Sequence, residues 1–197
     1  MQYYSIDTEI RRMVHVTIAV IAFAIPPLFE SAIKIFCLPQ MLAVPISFGA
    51  VFTALYFAFD RFLWKLKLAS SLIGVPNLNG QWIAEGVSSY IDPETNEPFH
   101  YRMIVTIKQT FSKIEIFTET KDSTSRSTMA SLSTQHAKMF FRYAFENTPK
   151  NKSDPELQRH PGLIELRINS PDEMVGDYFS GKHRLRYGEL TLKRSAL

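Results

Sequence analysis

Two apolar runs close to the start of the chain, joined by a connection of a few residues, constrain its fold more than any other feature. The first, Val14 to Phe29 (VHVTIAVIAFAIPPLF), is apolar apart from His15 and Thr17. As a helix it rises roughly 24 Å at about 1.5 Å per residue, short of a ~30 Å hydrocarbon core. Extension through ESAIKIFC to Cys37 makes it long enough. Glu30 and Lys34 then share one helix face, where they can pair near the far interface while the lysine snorkels. Pro26 and Pro27 are expected to kink this helix or end its regular part. The second run, Met41 to Phe59 (MLAVPISFGAVFTALYFAF), carries no charge and is expected to span the bilayer as well. A cleaved secretory leader is the alternative for the first run. The length of that run, the lack of a small-x-small cleavage site and the second span all argue against it. Arg11 and Arg12 precede the pair, Arg61, Lys65 and Lys67 follow it, and the connection around LPQ has no positive residue. By the positive-inside rule both ends, and everything downstream, are expected in the cytoplasm. Tyr56 and Trp64 suit an interfacial belt. Residues 1–73 therefore read as a membrane hairpin of two transmembrane helices.

After GVPNLNG (Gly74 to Gly80), a turn-rich linker, the pattern changes. From Asn77 onward 16 Lys and Arg balance 15 Asp and Glu. This part has no basic stripe of the kind that DNA or RNA binding requires. The single cysteine, Cys37, excludes an intramolecular disulfide and any multi-cysteine metal site. β-type segments recur at about Gln81–Ile91, His100–Gln109, Lys113–Thr120, Ser125–Leu132, Lys138–Glu146, Gly162–Asn169, Glu173–Ser180 and Leu185–Arg194. Turn material such as DPETNEP, NTPKNKSDP and SPDE separates them. Eight short alternating strands within residues 77–197 point to an all-β domain, either an antiparallel barrel or a sandwich. An eight-stranded barrel is just wide enough inside for side chains or one small ligand.

Alternation identifies the inside. Trp82, Ala84, Gly86, Ser88 and Tyr90 share one face of the first segment. In the third, Ile114, Ile116, Thr118 and Thr120 oppose Lys113, Glu115, Phe117 and Glu119. In the fifth, Phe141, Tyr143, Phe145 and Asn147 oppose Arg142 and Glu146. In the seventh, Met174, Gly176, Tyr178 and Ser180 oppose Asp177. Charged residues face water, so each inward face starts apolar and ends in hydroxyls or amides. The stretch TETKDSTSRSTMAS, Thr118 to Ser131, adds eight hydroxyl side chains in fourteen residues. One end of the barrel is expected to be greasy and plugged, the other a polar cup. NGQW at the first strand with Arg194 at the last resembles lipocalin-like β-barrels, in which a tryptophan closes one end beneath a stacked arginine.

The order and spacing of LNGQW, IKQTF, IEIFTETKDSTSRSTMASL, FFRYAFENTP, HPGLIEL, GDYFSGK and RYGELTLKR, after a membrane hairpin, resemble one family over nearly the whole chain. It is the CBASS anti-phage effector with two transmembrane helices and a STING-like minimal β-barrel that senses cyclic dinucleotides. The resemblance implies a ligand made by a partner cyclic-oligonucleotide synthase during infection. It also implies residence in the bacterial inner membrane among its lipids, homo-oligomerisation on activation, and membrane disruption that kills the cell.

A cyclic dinucleotide offers two bases and two phosphodiesters. Hydroxyls and amides read base edges, aromatic rings stack on bases and cations meet phosphates. The candidate ligand contacts are Gln109, Thr118, Thr120, Ser125, Ser127, Tyr143, Asn147, His160 and Tyr178, with Arg126 and Arg184 toward phosphate. Each hydroxyl alone also suits a turn, Tyr143 and Tyr178 also suit a core, and His160 in RHPG also suits the shaping of its turn. Glu30 and Lys34 are the candidate membrane-effector residues, because charge within a membrane helix often marks function.

Catalysis and cofactors find no support. HExxH, GxSxG and a glycine-rich phosphate loop are absent, and the five histidines form no i,i+3 or i,i+4 pair. Two carboxylates meeting across the barrel would leave a hydrolase open. A tethered module for a lipid or other apolar molecule is the other alternative, although it needs an apolar pocket with few polar groups. A tether with a filled barrel is the third.

Overall fold

The computed structural model describes residues 1–6, 8–36, 47–120, 122–150, 159–181 and 185–195. They divide into two units, one of Asp7–Gly74 and one of Met1–Ile6 with Val75–Leu197.

The first unit is helical. Helix α1 (Thr8–Ile35) starts earlier than the apolar run suggests and continues through Pro26 and Pro27. The two prolines therefore do not end it. A proline removes its own N–H from the ladder, but the surrounding apolar turns carry the helix on. Ser31 Oγ also donates to the Pro27 carbonyl at 2.8 Å, one turn back. Val14, Ile18 and Ala22, each four residues on, form its buried stripe, while Val16, Val20 and Phe23 are exposed. At about 1.5 Å per residue α1 is roughly 42 Å long, and its Glu9–Ile35 stretch is long and apolar enough to cross a membrane. Glu30 and Lys34 are both exposed, and among the described residues no ion pair joins them.

Of the second expected span, Met41–Ile46 lies outside the described residues. The described remainder is α2 (Phe48–Arg61), capped by Ser47 Oγ, which accepts from Ala50 N at 3.2 Å. Its fourteen residues are too short by themselves to cross, so among the described residues one helix, rather than two, has the length of a span. α2 packs on α1 by stacking Tyr56 on His15, with ring centroids 5.0 Å apart. A 3-10 turn (Leu63–Lys65) and α3 (Lys67–Ile73) follow. Trp64 in that turn is fully buried, and its Nε1 has no partner among the described residues.

The second unit is an antiparallel barrel. After a two-residue strand β1 (Gln2–Tyr3), its strands are β2 (Gly80–Ile91), β3 (Pro98–Gln109), β4 (Lys113–Glu119) and β5 (Ser123–Gln135). β6 (Lys138–Pro149), β7 (His160–Ser170), β8 (Glu173–Ser180) and β9 (Tyr187–Arg194) complete it. Each of β2 to β9 pairs with its sequence neighbours, and β9 returns to β2. Such closure removes exposed edges. Every expected strand is present within a few residues, because alternation and turn chemistry agree along this part of the chain.

Trp82, Phe111, Phe141, Leu166, Met174 and Leu192 are completely buried and plug one end. Arg194 lies over the Trp82 ring, 4.4 Å from its centroid, and Trp82 Nε1 donates to the Leu78 carbonyl at 3.0 Å. The Arg194 guanidinium also donates to the Asn77 carbonyl at 2.8 Å and to Asp172 at 2.9 Å. The stacked ring and saturated cation lock the closed end.

Candidate ligand cavity

Toward the opposite end hydroxyls, an amide and a histidine join the inward aromatic rings, and a cavity of about 220 Å³ opens. Register explains its wall. Thr118 on β4 pairs with Ser125 on β5, Ser125 with Asn147 on β6, and Asn147 with His160 on β7. Four residues spread over more than forty positions thus form one inward row. A second row runs Tyr143, Ile164, Tyr178, Gly188 and Ser88 across β6, β7, β8, β9 and β2. Thr118, Ser125, Asn147, His160, Tyr143 and Tyr178 all line the cavity, and so does Thr120. Thr120 also shapes the β4–β5 turn: its Oγ1 accepts from Ser123 N at 3.1 Å.

Tyr101 and Tyr143 stay neutral. Tyr101 meets Tyr178 edge-on, with centroids 5.9 Å apart at 84°. Burial, then the neighbouring Tyr178 and Tyr143 hydroxyls, raise the Tyr101 hydroxyl well above its ordinary pKa. Burial does the same to Tyr143. A neutral phenol can both donate and accept, which suits base edges. Gly86, paired with Tyr101, lets that ring lie flat on the sheet. A Cβ there would stand 2.6 Å from the Glu189 carbonyl oxygen and equally close to the ring.

Three of the expected contacts lie elsewhere. Gln109 sits at the closed end and is spent on structure. Its Oε1 accepts from Leu78 N at 2.8 Å, and its Nε2 donates to Tyr4 Oη at 3.1 Å and to the Pro76 carbonyl at 3.3 Å. The meander explains this placement: Trp82 opens β2 at the closed end, so β3 must finish there. Ser127 is buried and its Oγ accepts from Ile116 N at 2.9 Å, beside a β-bulge between Ser127 and Met129. Arg126 points outward, 71% exposed, and pairs with Glu115 at 3.4 Å. The parity that turns Ser125 inward turns Arg126 outward. Arg184 lies outside the described residues.

The cavity also takes in residues outside that expected set, among them Ser88, Phe99, Tyr101, Met103, Ser180 and Arg186. Tyr101 and Met103 had an available signal, since they alternate with His100, Arg102 and Ile104. Arg186 had one too, since within Leu185–Arg194 it shares parity with Gly188, Leu190 and Leu192, and the latter two are buried. Its guanidinium stands over the Tyr90 ring, 4.0 Å from the centroid. Among the described residues no three His, Cys, Asp or Glu side chains come together as a metal site.

Comparisons with known proteins agree with both units. Residues 73–194 match the family model described as Cap15, cyclic dinucleotide receptor domain, and residues 12–65 match Cap15, TM helices. A CD-NTase-associated protein 15 from Yersinia aleksiciae is 31% identical over 159 residues, which cover 80% of this chain and 74% of the relative. One from Staphylococcus schleiferi is 26% identical over 142 residues, 72% of this chain and 74% of the relative.

Proposed function

The chain belongs to the Cap15 family, CBASS-associated proteins with a cyclic dinucleotide receptor domain and membrane helices, and we propose that the cavity at the open end of its barrel is the cyclic dinucleotide site. The observation that carries this reading is the row Thr118, Ser125, Asn147 and His160 facing Tyr101, Tyr143 and Tyr178 across one hollow. Hydroxyls and an amide bind base edges there, and the rings stack on base faces. Arg186 swings from Tyr90 to a phosphodiester, trading a cation–π contact for a charge-assisted bond.

The barrel acts as a receptor and performs no chemistry on its ligand. Occupancy favours an assembled state over the single chain, since a ligand shifts an equilibrium only through differential affinity for its states. Assembly gathers membrane hairpins whose second helix carries small residues, Gly49, Ala50 and Ala54, which permit close approach. The gathered helices then disrupt the inner membrane, with both termini and the barrel on the cytoplasmic side, as the flanking arginines and lysines favour.

Thermal unfolding of the full chain in detergent, against a panel of cyclic dinucleotides and fatty acids, tests the site. A ligand at 100 times its dissociation constant adds ~2.7 kcal/mol of stability. A rise with one cyclic dinucleotide supports the proposal. A rise with fatty acid alone turns the barrel into a lipid carrier, and no rise at all leaves it a tether.

A further inference from the structure

The first six residues belong to the barrel. Gln2 and Tyr3 pair with Ile114 and Lys113 of β4, and Ser5 bridges to Ser131 of β5. Ser5 N donates to the Ala130 carbonyl at 3.0 Å, and Leu132 N donates to the Ser5 carbonyl at 2.8 Å. Tyr4 and Ile6 are buried while Tyr3 is exposed, so the segment alternates as a strand. It fills a gap. β4 and β5 pair directly only at Phe117–Arg126, Thr118–Ser125 and Glu119–Thr124, three register pairs against six at the next shortest seam of the ring, β3–β4. Beyond Ile116 the two strands splay at the Ser127–Met129 bulge. There the Gln2 amide meets Ser127 Oγ at 3.0 Å and β1 takes the place of the missing ladder.

Two features make this wedge more than filler. The direct pairs at its edge include Thr118–Ser125, which is cavity wall. The next described residue after Ile6 is Thr8, the first of α1. One side chain, Gln109, also holds both chain segments that flank the helical unit, Tyr4 before it and Pro76 and Leu78 after it.

Size supplies the drive. The cavity, about 220 Å³, is smaller than the ~300–1,000 Å³ of ordinary small-molecule sites, and a cyclic dinucleotide carries two bases, two riboses and two phosphates. The cavity is open at its mouth, so a ligand of that bulk projects from it, and where it bears on the wall the seam with the fewest register pairs yields first. Spreading Thr118 from Ser125 displaces Ile116 and Ser127, two positions along beyond the Phe117–Arg126 pair, and with them the hold on Gln2.

Resting on the cavity as the cyclic dinucleotide site, we propose that Met1–Ile6 is a displaceable ninth strand. It is seated between β4 and β5 before the ligand binds and released when the ligand spreads that seam, which frees the start of α1. The cavity and the first membrane helix are thereby coupled through the backbone itself, by an element with two discrete positions.

Hydrogen exchange on the full chain in detergent reads the seating directly, because the Ser5 N–H bond to Ala130 and the Leu132 N–H bond to Ser5 both break when Met1–Ile6 leaves. With any cyclic dinucleotide that raises thermal stability, both amides should exchange at least about tenfold faster, as for a locally opened segment. The Leu166 amide in β7 should not accelerate. Unchanged or slower exchange at Ser5 and Leu132, under a demonstrated thermal shift, overturns the proposal. If no cyclic dinucleotide shifts stability, the binding site itself fails, and the strand is judged without ligand. Tyr4→Phe removes the bond to Gln109 and should speed both amides about fivefold, the effect of one lost neutral hydrogen bond. It should also raise basal leakage from vesicles of phosphatidylethanolamine and phosphatidylglycerol. Unaltered exchange, or faster exchange with leakage at the parental level, sinks the coupling.

Discussion

Replacing Gln109 by leucine separates a structural role from a ligand-binding one. Gln109 is 2% exposed and Leu78, whose N–H it accepts, is 1% exposed. Leucine has nearly the same bulk and no acceptor, so the Leu78 N–H stays buried without its 2.8 Å partner. A buried donor left without a partner costs about 2 kcal/mol, and loss of the Tyr4 bond at 3.1 Å adds about 1 kcal/mol more. The total, about 3 kcal/mol, is a large share of the ~5–15 kcal/mol that holds an ordinary domain together. It should lower the melting temperature of the barrel by roughly 10 °C. Melting of the full chain followed by tryptophan fluorescence measures this, since Trp82 packs beside the clasp. Ligand titration below the melting temperature supplies the second readout, and affinity there should not fall, because Gln109 lies outside the cavity and the lost Tyr4 bond loosens the segment that the ligand is proposed to release. An unchanged melting temperature together with lost affinity would show that Gln109 reaches the ligand, and the assignment of the closed end would be refuted.

Arg186→Ala should weaken cyclic dinucleotide binding about tenfold to a hundredfold, the range for a hydrogen bond to a charged group. Arg126→Ala should leave binding unaltered, and calorimetric titration of both variants checks the contrast. The two raised phenols give a pH signature. Below their ordinary pKa of about 10 both folded and unfolded chains hold these protons, so their contribution is fully present there. Above it only the unfolded chain releases them, and stability should fall by up to about 2.7 kcal/mol per pH unit for the pair. Denaturant melts between pH 9 and about 11.5 test the sign, and a flat profile would contradict the burial of Tyr101 and Tyr143. Glu30→Ala and Lys34→Ala should each spare ligand affinity while lowering ligand-triggered vesicle leakage; parental leakage in both would remove these residues from the membrane step.

Which segments become strands, which side chains turn inward and where the closed end lies can all be read from the order of the residues. Those properties follow from local rules: a period of two, turn residues between runs, and a tryptophan that must be covered. The same order also marks the apolar helix α1, since length and polarity alone decide whether a helix can cross lipid. Tertiary structure decided what depends on pairing across the ring. Thr118 and Gln109 look alike in sequence as polar residues on inward faces. Strand direction sends one to the cavity and the other to the plug. Arg186 shares its parity with the buried Leu190 and Leu192, but its place over Tyr90 depends on β9 closing on β2. The N-terminal strand was illegible for the same reason. Two residues carry too little periodicity to announce a strand, and the gap that gives them hydrogen-bond partners exists only after a distant bulge has parted β4 from β5.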